Sequence, residues 1–82
     1  MQKGHTIKSV DPGSIADELG LKPGDRLLSI DGHELEDIFD YEYYIENESI
    51  VAVVAKKNGE EWELDIENDY QDLGLTFENG LM

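Results

Sequence analysis

Apolar residues alternate with polar ones in some stretches of this chain and recur at helical spacing in others, and turn residues mark each change. His5 to Val10 alternates, with Ile7 on one face and Thr6, Lys8 and Val10 on the other, which predicts a strand. The stretch from Pro12 to Gly32, PGSIADELGLKPGDRLLSIDG, then organises the rest of the chain. Ser14 is a helix N-cap with Asp17 three residues on, as in a capping box, and Gly20 can take the left-handed conformation that ends a helix, so a short helix is predicted over 14–19. Lys22-Pro23-Gly24-Asp25 has proline where its fixed φ fits and glycine where a type II turn needs φ above zero. Arg26 to Ile30 is the next strand, Asp31-Gly32 is a pair suited to a tight reversal, and His33-Glu34-Leu35 is a short return strand.

Asp37 to Asn47 is the one substantial helix predicted. Ile38, Tyr41 and Ile45 fall at helical spacing, with Phe39 and Tyr43 on an adjoining line. This apolar arc is wider than a small core needs, so part of it is expected to line a groove. Further on, Ile50 to Lys56 and Glu61 to Glu67 flank Asn58-Gly59, the signature of a hairpin with a two-residue type I′ turn. That register puts Ala55 opposite Trp62, Val53 opposite Leu64 and Val51 opposite Ile66 on one apolar face. The other face, with Lys56 opposite Glu61 and a row of Glu63, Asp65 and Glu67, is expected to meet water. After the polar connection Asn68 to Asp72, a last strand is predicted over 73–77, with Leu73, Leu75 and Phe77 on one side.

Composition narrows the function. A chain of 82 residues makes one domain, 1–82, and such small domains bury only about 60% of their unfolded surface. It has no cysteine, which excludes disulfide, zinc-thiolate and iron-sulphur sites within it. Twenty acidic against six basic residues give a net charge of −14, which repels nucleic-acid backbones and anionic membrane surfaces. No apolar run reaches membrane-spanning length and MQKGHTIK lacks a signal-peptide core, so a cytoplasmic setting is expected. Catalytic groups do not assemble: Ser9, Ser14, Ser29 and Ser49 have no nucleophile-elbow context, and His5 and His33 have no metal-ligand spacing. Asp37, Asp40, Glu42 and Glu46 form an acidic face without a calcium-loop pattern. No enzyme activity, cofactor or metal is therefore expected.

The order of elements in PGSIADELGLKPGDRLLSIDG resembles the core signature of PDZ domains, particularly bacterial ones. The resemblance implies an α+β fold, a small partly closed antiparallel sheet or barrel with two helices, and a monomeric module that binds a protein or peptide. Asp72-Leu73-Gly74-Leu75-Thr76-Phe77 is similar to the carboxylate-binding loop of that family, in which successive backbone N–H groups meet a peptide C-terminus. Here it stands last, so the resemblance is to circularly permuted members, and the last strand is expected antiparallel beside the first. Carried over, the amides of Leu73, Gly74 and Leu75 would face a carboxylate, and the edge from Leu75 through Thr76 to Phe77 would pair with a peptide. Asp37, Tyr41 and Tyr44 would line the groove, with Ile38 and Ile45 as the alternative line. Asp69 and Asp72 flank the loop with no neighbouring lysine or arginine, which favours apolar and basic ligands, including another segment of the same polypeptide. An acidic module ending in DLGLTFE is also similar to the N-terminal module of a bacterial family of radical-SAM-like iron-sulphur proteins. That likeness implies the alternative of a structural docking or cap domain whose groove is vestigial or self-occupied.

Overall fold

Ser14 Oγ accepts the Asp17 N–H at 3.2 Å, and the Asp17 carboxylate accepts the Gly13 N–H at 2.9 Å, so the predicted capping pair opens the first helix. The computed structural model describes residues 4–78, Ile38 by its backbone alone. Its elements are β1 (His5–Val10), α1 (Ile15–Glu18), β2 (Arg26–Ile30), β3 (His33–Glu34), α2 (Ile38–Tyr44), β4 (Ile50–Ala55), β5 (Glu61–Ile66) and β6 (Leu75–Phe77). Asp31 and Gly32 both have positive φ, 53° and 81°, the geometry of a type I′ turn, and they join β2 to β3 as a tight hairpin. All pairings are antiparallel, in the order β5-β4-β2-β1-β6, with β3 beside β2. The last strand thus lies beside the first, as expected. The result is a small antiparallel α+β sheet with two short helices.

The β4–β5 hairpin departs from its predicted register. Asn58 does not take positive φ; Gly59 alone in this loop does, at 96°. The Gly59 N–H donates to Lys56 O at 2.9 Å and the Lys56 N–H to Glu60 O at 2.6 Å, so the connection is a three-residue loop in which glycine supplies the left-handed residue. The extra residue moves β4 by one position. Val54 faces Trp62, Ala52 faces Leu64 and Ile50 faces Ile66. Trp62, Leu64 and Ile66 point inward as predicted, but Ile50, Ala52 and Val54 are buried in place of Val51, Val53 and Ala55.

Lys56 also departs from the prediction, since its side chain turns inward and does not sit on the wet face. Its ammonium pairs with the carboxylate of Asp25, whose side chain is 1% exposed, donates to Gly20 O at 2.9 Å, and lies 4.3 Å from the Trp62 ring centroid. Asp25 further accepts the Lys22 N–H and the Lys57 N–H, each at 2.9 Å. Burial alone would raise the Asp25 carboxyl, but the Lys56 ammonium and these two amides outweigh it and hold the group below its ordinary value.

Gly74, just before β6, has φ of 88°. A Cβ there would lie 2.3 Å from Ser14 Cβ. Only glycine lets the loop before β6 rest against the cap of α1, where Leu73 O accepts the Ala16 N–H and Gly74 O accepts the Asp11 N–H, both at 2.9 Å.

The ion pair and the glycine contact can each be tested by substitution. Asp25→Ala leaves the Lys56 ammonium unpaired beneath the hairpin and should lower unfolding free energy by about 3–5 kcal/mol, read by urea denaturation. Because the folded-state pKa of Asp25 is depressed, its contribution is present above the ordinary value of 3.8 and is lost as pH falls through the folded value. The stability gap between the wild type and Asp25→Asn should therefore narrow below about pH 4; a gap that held constant would contradict the assignment. Gly74→Ala should cost about 2–4 kcal/mol from its positive φ and the clash with Ser14. Adding Ser14→Gly, itself worth only a few tenths of a kcal/mol as a cap change, should recover the clash and leave the φ cost.

Candidate functional site

β6 ends the strand order, so among the described residues only one of its edges is paired, with β1 through Ile7–Phe77, Ser9–Thr76 and Val10–Leu75. Its alternation divides the side chains. Phe77 is buried, Leu75 is half-buried and Thr76 is exposed. The Phe77 ring meets the Tyr41 ring of α2 edge to face, with centroids 5.1 Å apart, which fixes the helix beside the strand. The predicted strand over 73–77 is shortened to Leu75–Phe77 because Leu73 and Gly74 turn toward α1 and β1. Leu73 is 1% exposed and serves the core.

Tyr41 brings α2 to the loop. Its ring is 1% exposed, and its hydroxyl donates to Asp72 Oδ1 at 3.2 Å. Burial pushes the phenol far above its ordinary range, with the Asp72 carboxylate adding to the shift, while the nearby Leu73 backbone N–H works the other way. The hydroxyl therefore stays protonated and acts as a donor. The same Asp72 Oδ1 accepts the Gly74 N–H at 2.8 Å. Of the three amides carried over as carboxylate donors, that of Gly74 thus already has an acceptor within the chain. By sequence alone Asp72 is a repulsive neighbour of the loop; an aspartate two residues before a glycine is the signal that it can fold back onto that amide.

The other lining candidates lie in different surroundings. Asp37 caps α2, accepting the Asp40 N–H at 3.1 Å. Tyr44 stacks on His33 of β3, with centroids 4.6 Å apart and planes 3° from parallel. On the alternative line, Ile45 is buried, and the side chain of Ile38 lies outside the described residues. Phe39 and Tyr43, each 72% exposed, carry the remaining apolar arc of α2 into solvent.

A separate cleft of about 500 Å³ is lined by Glu48, Ser49, Glu67 and Asp69. Among the described residues, no group of three or more His, Cys, Asp or Glu is placed to hold a metal ion. No helix among them is long and apolar enough to cross a membrane, a statement that does not extend to β-barrels.

A chain with this antiparallel order and a glycine loop leading into an edge strand can be compared with known proteins. Comparison with curated proteins yields no match. Among solved structures, the PDZ domain of the SdrC-like protein from Listeria monocytogenes superposes with a TM-score of 0.77 at 19% identity, covering 96% of this chain and 92% of that one. At that identity the likeness speaks for the fold alone. The family model described as "PDZ domain" matches residues 6–56, more than half of the chain, and the chain belongs to the PDZ-domain family.

Proposed function

We propose that this PDZ domain is a non-catalytic module that binds an extended protein segment along the open edge of β6, beside α2. PDZ domains in general are protein-interaction modules. The observation that carries the reading is the position of β6: it is the terminal strand of the sheet, held against Tyr41 of α2 by Phe77, with a glycine loop at its head. An added strand would gain main-chain hydrogen bonds along Leu75, Thr76 and Phe77, and alternate side chains would select its sequence. In this reading the loop and strand that precede the signature in unpermuted PDZ domains come last here, which is the circularly permuted order.

Charge selects among ligands. With a net charge of −14, the domain favours segments that alternate apolar and basic side chains. The partner is another protein or another segment of the same polypeptide, met in the cytoplasm. A second reading, a docking domain within a larger assembly such as an iron-sulphur protein, draws on Phe39 and Tyr43. These rings stand exposed on α2 among the exposed acids Glu36, Glu42 and Glu46, the composition of a face that meets a partner.

Titration of the labelled domain with a peptide of alternating lysine and valine tests the first reading. Backbone amide shifts should concentrate at Leu75, Thr76 and Phe77, and N-methylation of alternate peptide bonds should abolish them. Raising salt from roughly 0.01 M to roughly 1 M shortens the screening length from about 30 Å to about 3 Å, and should weaken the complex. Shifts confined to Phe39 and Tyr43, indifferent to N-methylation, would favour the second reading and discard the first.

A further inference from the structure

We infer that Asp72 is the resident occupant of the anion seat at the head of β6, so that the groove selects internal peptide segments over free C-termini. This rests on the groove reading above and narrows its ligand class. The Gly74 N–H and the Tyr41 hydroxyl converge on one oxygen of Asp72, at 2.8 Å and 3.2 Å. The first contact alone would be a local turn. The second comes from a buried side chain 31 residues away in sequence and makes the seat a tertiary one.

The backbone of the loop has little freedom to offer a second seat. Its carbonyls are tied to Ala16 and Asp11, both at 2.9 Å, and Gly74 is in close approach to Ser14. A terminal carboxylate that is to take the Gly74 N–H must displace the Asp72 side chain. Asp72 is exposed and can swing outward, but it stays tethered near the newcomer as a like charge, and the Asp11 side chain already lies beside Gly74. An internal segment avoids this contest. It needs only the edge of β6 and leaves Asp72 where it is.

The test uses the whole chain, a lysine-valine peptide prepared as free acid and as C-terminal amide, and sodium acetate as the smallest carboxylate probe. The wild type should bind the amide at least as tightly as the acid, and acetate should leave the Gly74 amide resonance in place. Asp72→Ala, which empties the seat, should improve the acid relative to the amide by about tenfold, and acetate should now move Gly74. Asp72→Asn, which keeps an acceptor on the Gly74 N–H but not the charge, should gain less than Asp72→Ala; a dispersed amide spectrum checks the fold of both. A wild type that prefers the free acid, or an acid-to-amide ratio unchanged in Asp72→Ala, overturns the inference and leaves the groove reading standing. If neither peptide binds, the groove reading falls, and the acetate arm still decides the seat: movement of Gly74 in Asp72→Ala alone supports occupancy, and movement in both proteins or in neither overturns it.

Discussion

The carboxylate of Asp25 joins the turn after α1 to the β4–β5 hairpin. Its oxygens take the Lys22 N–H, the Lys57 N–H and the Lys56 ammonium, while its backbone carbonyl takes the Ile7 N–H at 2.8 Å. The turn after α1, the start of β2, the middle of β1 and the β4–β5 loop are thereby fixed to one residue. Lys56 extends the connection to α1 through Gly20 O. α1 in turn presents the Ser14 cap and the Ala16 N–H to the loop before β6. The candidate groove therefore depends on a buried ion pair with which it shares no atom.

That pair is costly to assemble in isolation. Removing both charges from water costs several kcal/mol per ion, and the Coulomb attraction offsets this only when the remaining hydrogen-bonding capacity is filled. Here the Asp25 carboxylate accepts three donors, and the Lys56 ammonium makes two hydrogen bonds and also lies over the Trp62 ring. With six basic residues in a chain of net charge −14, the burial of one as a cross-link points to specificity of arrangement as its role. The pair distinguishes the observed hairpin register from its neighbour, because a one-residue slip would send Lys56 to the opposite face.

The same pair explains which parts of the fold are legible in the sequence. Ser14, Gly20, Pro23-Gly24 and Asp31-Gly32 act through their own backbone and nearest neighbours, and each element they bound falls where the pattern puts it. The β4–β5 register is not legible, because Asn58-Gly59 is compatible with a two-residue or a three-residue loop and the choice is linked to Lys56 meeting Asp25, 31 residues away. The groove divides in the same way. The edge position of β6 and the approach of Tyr41 come from element order and helical spacing, whereas Tyr44 is drawn to His33 and Asp37 to its own cap by contacts that spacing does not encode. The exposure of Phe39 and Tyr43 answers the excess apolar width of α2: the surplus faces solvent.

The loop before β6 separates stability from selectivity within the same peptide planes. The positive φ of Gly74 lets the carbonyls of Leu73 and Gly74 turn toward Ala16 and Asp11, where they hold the scaffold, while the Gly74 N–H turns toward Asp72. A change on the carbonyl side strains the scaffold, since Ser14 is in close contact with Gly74. On the amide side the partner is a side chain that solvent reaches. Substitution of Asp72 can therefore alter what the amides receive while the carbonyl contacts persist, and in this fold a single exposed carboxylate is enough to change the class of ligand without changing the sheet that presents it.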